Sequence, residues 1–493
     1  MAGAAAMNIP GAAAFTGKRV AVLGLGISGQ AAIAALTAHT SATVSAWDGR
    51  AEAIAELPGE LATAVAQADP HTLVTELIAW QPDLVIIAPA FPATGLVWRQ
   101  LRAADIPVWS EIELAWQLRA ANDAGEFAPW LCVTGTNGKT TTVTMAASIL
   151  QAAGRGGAPI GNVGNPAVTA VSDTSDSAPD AFVLELSSFQ LYATHSMAPA
   201  AAICLNLADD HLEWHGSLAE YQAAKAKIYR QVTGTCCYPA GDSAIAQMLE
   251  SASPTARQVA VTLTVPKVDQ IGLVEDIAVD RAFPPGQISQ ATELFTLDHL
   301  TQLVPAGAAL PAHLVQDALS AAALTRAIGI TPEHIAAGLA NVAAGAHRIS
   351  EVANVAGVRW VDDSKATNAH AARAALATLP PASTVWIVGG LAKGARFEEL
   401  VAEVSSRLAA VVVIGKDQEP WRAALAELTV PVHFVPPEIE SPMTAAVQAA
   451  AQLAQPGNTV LLAPATASMD QFVSYEDRGN KFAAAVAEVT ARD

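Results

Sequence analysis

The chain has 493 residues, too many for one ordinary hydrophobic core, and the length suggests about three domains. Lys and Arg number 27 against 46 Asp and Glu, a net charge of −19, so the surface as a whole repels nucleic acid and anionic membranes, and an anionic ligand must be held by a local cluster of positive groups. No apolar run reaches the roughly 18 residues of a membrane span, and the four cysteines lack metal-ligand spacing, as expected of reduced thiols in a cytoplasmic protein.

The first unit is expected over residues 1–117, with 1–16 an unstructured tail rather than a secretory leader. Arg19 to Leu23 reads as a buried strand, followed by Gly24, Gly26 and Gly29 in a G-x-G-x-x-G pattern and a helix from Ser28. A second strand ends at Asp48, another runs through "PDLVIIAPA", and "IPVWSEIELAWQL" leads from strand to helix. The second unit, 118–344, opens on the strand "WLCVTG" and continues into a helix from "TTVTM". The strands "AFVLELSS" and "AAICLNLADDH" follow, then the helical "SLAEYQAAKAKIYRQV", a stretch of short strands and turns, and two late helices. Thr331-Pro332-Glu333 starts the second of those helices, with Thr as N-cap and Pro in the first turn. The third unit, 345–493, alternates "VRWVDDS", "STVWIVGG", "AAVVVIG", "PVHFV" and "NTVLLAPA" with alanine-rich helices. The fold class is therefore α/β, with Rossmann-like first and third domains around a central phosphate-loop ATPase domain on a mixed, mostly parallel sheet.

Two glycine loops carry chemistry. The first, with Asp48 at about the expected 20-residue spacing, matches a dinucleotide fingerprint. Its mechanism is broader, because glycines let the backbone approach any pyrophosphate at a helix N-terminus. The second loop, Gly135-Thr136-Asn137-Gly138-Lys139-Thr140-Thr141, is two residues shorter than G-x-x-x-x-G-K-[ST]. Its amides can still curl inward, Lys139 can reach the β/γ phosphates, and the Thr140 hydroxyl can face Mg²⁺. Glu185 lies in an apolar strand, where a carboxylate needs a partner. His211 is expected at the end of the strand "ICLNLADDH", where α/β ligands bind, and Lys225 and Lys227 lie on a helix. Polar clusters at 362–368, 389–397 and 463–472 end three strands of the third unit and indicate a ligand site there.

Together with "GNVGNPA" (161–167), "ELSSFQL" (185–191), "DDSKATN" and "ASMDQF", the loop "TGTNGKT" (134–140) resembles the ATP-dependent Mur ligases of peptidoglycan synthesis and, more distantly, folylpolyglutamate synthase. The resemblance covers about Lys18 to Phe482 and is strongest to the member that adds D-glutamate to UDP-N-acetylmuramoyl-L-alanine. The Asn-Pro-Arg motif of the diaminopimelate- or lysine-adding ligase is absent. The resemblance implies that Gly26, Ile27, Ser28, Asp48, Arg50, Asn162 and Ser187 hold the UDP-sugar substrate. Loop residues 135–141, with Asp317, Arg348 and Asp363, would hold ATP. Thr140 and Glu185 would ligate one Mg²⁺, with His211 and a carbamylated Lys225 serving a second. Lys365, Thr367, Lys393, Ser468, Met469 and Tyr475 would surround D-glutamate. Lys139, Glu185, His211 and Lys225 would be the catalytic set. Leu314 and Asp317 stand where asparagines are familiar, Arg396 where an Asp is frequent, and Ala90 where a glycine is common.

The expected protein is a cytoplasmic monomer acting on small molecules in cell-wall synthesis, and hence in cell shape and division. Three alternatives stand beside it. An NAD oxidoreductase leaves Gly-Lys-Thr and the third-unit clusters unexplained. A nucleotide-binding regulator would not need Lys139, Glu185, His211 and Lys225 together. A sister ligase would add a different amino acid.

Overall fold

The computed structural model describes residues 8–55, 57, 61–175, 178–252, 255–283, 290–304, 309–343, 349–377 and 379–491. The chain forms two compact units: residues 1–300 with 312–342, and 301–311 with 343–493.

The first unit carries two sheets. One is five-stranded and wholly parallel, in the order β3-β2-β1-β4-β5. Its strands are β1 (Arg19–Leu23), β2 (Thr43–Asp48), β3 (Thr63–Ala66), β4 (Leu84–Ile87) and β5 (Val108–Trp109). Val20, Ala21, Val22 and Leu23 are all buried, because helices cover both faces of a parallel sheet. The strand order reverses beside β1, and the glycine loop leaves its C-terminal end there, where α/β folds place ligands.

The stretch read as an unstructured tail is ordered from Asn8 onward. Pro10–Phe15 is a 3₁₀ helix, and Asn8 pairs with Ala121. Phe15 is buried and meets the Trp109 ring edge-on at 6.1 Å. One aromatic anchor in an alanine-rich run gave the sequence no periodicity to show this. Residues 1–7 lie outside the described residues.

The second sheet has nine strands in the order β14-β13-β12-β11-β10-β9-β6-β8-β7. These are β6 (Trp130–Thr134), β7 (Ile160–Gly161), β8 (Phe182–Glu185), β9 (Ala201–Cys204), β10 (Thr235–Pro239), β11 (Arg257–Val261), β12 (Gln270–Val274), β13 (Ile277–Asp280) and β14 (Thr292–Thr296). Strands from β7 to β12 pair in parallel, and β12-β13-β14 is an antiparallel meander, so the sheet is mixed. Strand β6 lies between β8 and β9, with Val133 opposite Glu185 and Thr134 opposite Cys204. The phosphate loop, Glu185 and the segment after β9 thus leave neighbouring strands at one sheet edge. Helix Lys139–Ala152 packs on helices Ala312–Arg326 and Pro332–Ala340. Gly338 permits that approach, since a Cβ there would stand 2.4 Å from Ile149 Cα.

The second unit holds six strands in the order β15-β16-β20-β17-β18-β19. They are β15 (Ser350–Val355), β16 (Val358–Asp362), β17 (Thr384–Gly389), β18 (Leu408–Ile414), β19 (Val432–Phe434) and β20 (Thr459–Leu462). Only the β15–β16 hairpin is antiparallel. Ala356 and Gly357 turn it with φ of 50° and 77°, the positive pair a tight hairpin requires. Separate clusters fill the two faces of the sheet, one around Val412 and Phe482 and the other around Trp386 and Trp421. The four cysteines are free and buried. Among the described residues, no helix is long and apolar enough to cross a membrane.

Candidate active site

The short loop is held by its neighbours more than by itself. Asn206, just beyond β9, brackets Asn137: its Oδ1 accepts from the Asn137 amide at 2.8 Å, and its Nδ2 donates to the Asn137 carbonyl at 3.1 Å. The Thr136 amide donates to the Asn206 carbonyl, and the Thr136 hydroxyl lies 3.0 Å from Tyr221 Oη. Sequence reading missed Asn206 and Tyr221. The only signal was an asparagine directly after a strand, hidden in the apolar "ICLNL".

Gly138 adopts φ 82° at the N-cap of helix Lys139–Ala152. A Cβ there would also stand 2.5 Å from Asp317 Oδ1. Asp317, itself buried, therefore sits against the loop. Gly138→Ala combines that clash with a left-handed strain of about 1 kcal/mol. Its ATP affinity should fall at least about tenfold (roughly 1.4 kcal/mol). Unchanged nucleotide binding by calorimetry would contradict this.

Lys139 Nζ donates to the carbonyls of Gly135 (2.8 Å) and Thr136 (2.9 Å). Lys225 Nζ reaches the same Gly135 carbonyl at 2.8 Å. Lys225 is 2% exposed, and burial, helped by the positive charge of Lys139, pushes its amine down to about 7. Glu185 has found the partners its apolar strand demanded. Thr140 Oγ1 donates to Oε2 and Asn162 Nδ2 to Oε1, both at 2.8 Å. Thr141 follows, half-buried, in the first turn of the helix.

His211 does not end a strand. Strand β9 stops at Cys204, and His211 caps the short helix Leu212–His215 in the left-handed region, φ 54°. Asn206 and Ala208 are drawn to the phosphate loop instead of a neighbouring strand, which ends the ladder early. The His211 ring lies near Asp210 (3.5 Å), Glu213 (4.0 Å) and the Phe189 ring (4.7 Å between centroids). Among the described residues, no group of three or more His, Cys, Asp or Glu is placed to hold a metal. Ser187 is used as a cap: it accepts from the Gln190 amide, and Gln190 reaches back to the Ser187 amide.

Beside β1, Gly26 caps helix Ile27–His39, Ile27 is exposed, and Ser28 lines a cavity. Asp48 Oδ2 accepts from the Leu25 amide at 2.6 Å, and Oδ1 accepts from Arg50 Nε at 3.0 Å. Burial pushes the Asp48 carboxyl up, but the hydrogen bonds from Arg50 and the Leu25 amide outweigh it and hold the pKa below the usual value. Asp48 thus braces the glycine loop.

In the second unit, the three polar clusters lie at the ends of adjacent strands β16, β17 and β20. Lys365 Nζ donates to Tyr475 Oη at 3.1 Å and lies 4.9 Å from the ring centroid. The Thr367 amide turns back onto the Lys365 carbonyl, and Leu391 bridges Ala467, bringing the loop of Lys393 beside that of Ser468. Ser468 is buried, whereas Met469 and Lys393 are exposed. Asp363 is buried directly after β16. Arg348 lies outside the described residues.

Arg478, which sequence reading passed over, ties these loops together. It is fully buried and donates to the Ser364 hydroxyl (2.9 Å), the Ser364 carbonyl (2.8 Å) and the Thr466 carbonyl (3.2 Å). Burial pushes it down to about 10, against the pull of Asp470 and Asp362. Arg478→Met should destabilise this unit by about 3 kcal/mol, because three acceptors lose a charged donor. An unchanged melting temperature would contradict that role.

The sequence of residues 133–277 matches the Mur ligase middle domain, and residues 347–466 match the glutamate ligase domain of Mur ligases. The UDP-N-acetylmuramoylalanine–D-glutamate ligase of Thermobifida fusca is 44% identical over 475 residues, covering 95% of this chain and 97% of the relative. The chain belongs to the Mur ligase family. The Streptomyces coelicolor protein of the same name is 43% identical, over 97% of this chain and 99% of its own. Solved Mur ligases share the fold at low identity. Thermotoga maritima UDP-N-acetylmuramate-alanine ligase superposes with a TM-score of 0.54 at 18% identity, covering 97% of this chain and all of that one. Thermotoga maritima MurF ligase, solved with ADP, gives 0.53 at 14% identity, covering 98% and 97%.

Proposed function

We propose that this Mur ligase couples ATP cleavage to the addition of D-glutamate to UDP-N-acetylmuramoyl-L-alanine. The observation that carries the reading is the near full-length similarity to D-glutamate ligases. The proposed division of labour is 1–117 for the UDP-sugar, 118–344 for ATP and 345–493 for the amino acid. We read the enzyme as a monomer acting in the cytoplasm.

The alanyl carboxylate oxygen attacks the γ-phosphorus, ADP leaves, and an acyl phosphate forms. The D-glutamate amine then attacks the acyl carbon, losing a proton, and phosphate departs with the electron pair of the broken C–O bond. Both partners of the first step are anions, so positive charge must meet them. Lys139 stands at the helix mouth to supply it. Thr140 Oγ1 and Glu185 Oε2, hydrogen-bonded at 2.8 Å, are the hard oxygen donors that would hold Mg²⁺. That donor pair fits Mg²⁺, which when bound screens the phosphate charge. For a second ion, His211 would serve with Lys225 as a carbamate. A buried lysine whose amine is readily deprotonated favours adding CO₂, which turns a misplaced cation into an anion. Lys365, Tyr475, Ser468 and Lys393 suit a substrate with two carboxylates, with Thr367 and Met469 beside them. Asn162 and Ser187 would meet the UDP-sugar.

The test is phosphate release with UDP-N-acetylmuramoyl-L-alanine, ATP, Mg²⁺ and a panel of amino acids. Release with D-glutamate is expected. Release only with L-lysine or diaminopimelate would replace this reading with a sister ligase.

A further inference from the structure

Two tryptophans hold one loop by its backbone. Residues 88–95 join β4 to the helix Leu96–Ala103. Trp214 Nε1 donates to the Pro89 carbonyl at 2.8 Å, and Trp98 Nε1 donates to the Phe91 carbonyl at 3.0 Å. Trp98 belongs to the helix that the loop enters. Trp214 comes from 125 positions further along than Pro89, in the short helix Leu212–His215 that His211 caps. Both rings are buried. Tyr192 stands edge-on to each, 5.1 Å from Trp98 and 5.3 Å from Trp214, and Phe189 packs on Trp214 at 4.7 Å. Burial alone does not secure such pairing in this fold, since Trp130 and Trp421 bury their N–H groups without a hydrogen-bond partner. The two paired indoles take carbonyls two residues apart, with Ala90 exposed between them.

The place of this loop gives the clamp a function. The strand order reverses between β1 and β4, and ligands of open α/β sheets lie in the crevice beyond the strand ends at that point. The glycine loop leaves β1 as one wall, and residues 88–95 leave β4 as the other. The walls touch: a Cβ at Gly24 would stand 2.6 Å from Ala88 Cβ and 3.0 Å from Phe91 Cε2. A trans peptide is planar, so a bond that fixes the Pro89 carbonyl also fixes the direction of the Ala90 N–H. The segment that carries Trp214 fits this wall closely. A Cβ at Gly216 would stand 2.8 Å from Thr94 Cγ2, and the Thr94 hydroxyl donates to the Glu213 carbonyl at 3.4 Å.

On the proposed function, on which this inference rests, the crevice beside β1 takes the nucleotide-linked sugar. We propose that Trp214 is a positioning residue for that substrate: its indole N–H holds the β4 loop in the shape that receives the nucleotide-sugar. The phosphate loop is braced by other residues, Asn206 and Tyr221. Loss of the Trp214 donor is therefore felt by one substrate and not by the other, which separates positioning from a general contribution to the fold.

The test is calorimetric binding of UDP-N-acetylmuramoyl-L-alanine and, separately, of ATP with Mg²⁺, to wild type and to Trp214→Phe. The variant keeps an aromatic ring against Phe189 and Tyr192 and removes the donor. Its affinity for the UDP-sugar should fall about tenfold, as expected when a carbonyl loses its hydrogen-bond donor. Its affinity for ATP should stay within about twofold of wild type, a difference too small to mark a lost hydrogen bond. Undiminished UDP-sugar binding in Trp214→Phe would overturn the assignment of Trp214 alone. An equal fall for both ligands would also overturn it, because that result marks a loosened fold. No binding of the UDP-sugar by wild type would overturn the substrate reading and this assignment with it.

Discussion

Replacing Lys139 with alanine is expected to lower phosphate release about 10²–10³-fold, a loss of roughly 2.7–4 kcal/mol of transition-state stabilisation. The ammonium is the first side chain of the helix after the loop and rests on the Gly135 and Thr136 carbonyls. The transferring phosphoryl group spreads negative charge over its oxygens, and this chain, at net −19, has little positive charge to spare for it. Lys139→Arg should recover only part of the rate, because a planar guanidinium does not replace a compact ammonium. The loss should appear with the protein still folded, since Lys139 is only half-buried. Phosphate release unaffected in Lys139→Ala would remove the loop from the reaction.

Glu185→Gln is the second large effect. It keeps the volume of the side chain and removes the charge. Thr140 and Asn162 now donate to its two oxygens, and an amide offers only one. We expect kcat to fall about 100-fold, near the lower end for loss of a preorganised electrostatic group. The Mg²⁺ concentration for half-maximal activity should rise about tenfold, because a hard cation loses its anionic oxygen. A Mg²⁺ titration of ADP formation reads both. A mutant that is slower but has the wild-type Mg²⁺ curve would show that Glu185 shapes the loop without holding the ion.

The fold was legible because its elements announce themselves locally. Apolar runs such as "WLCVTG" and "AAVVVIG" end in glycine or polar clusters, and parallel strands buried on both faces must read that way. The phosphate loop was legible for the same reason, since its chemistry lies in consecutive residues. What was hidden depends on contacts far apart in sequence. Asn206 clamps a loop about 70 positions earlier, and Arg478 joins Ser364 to Thr466. His211 was placed on a strand that stops seven residues sooner, because side-chain ties to the loop take over from the ladder. Phe15 showed only as one aromatic in an alanine-rich run, although its buried ring anchors the 3₁₀ helix Pro10–Phe15.

The carbonyl of Gly135 receives both Lys139 and Lys225. Both lysines thus share one neutral backbone oxygen, which orients them but cancels none of their charge. An incoming phosphate would compete with the Gly135 and Thr136 carbonyls for the hydrogen bonds of Lys139. A change in the chemical state of Lys225 would therefore be felt by Lys139 through a single backbone atom, the carbonyl oxygen of Gly135.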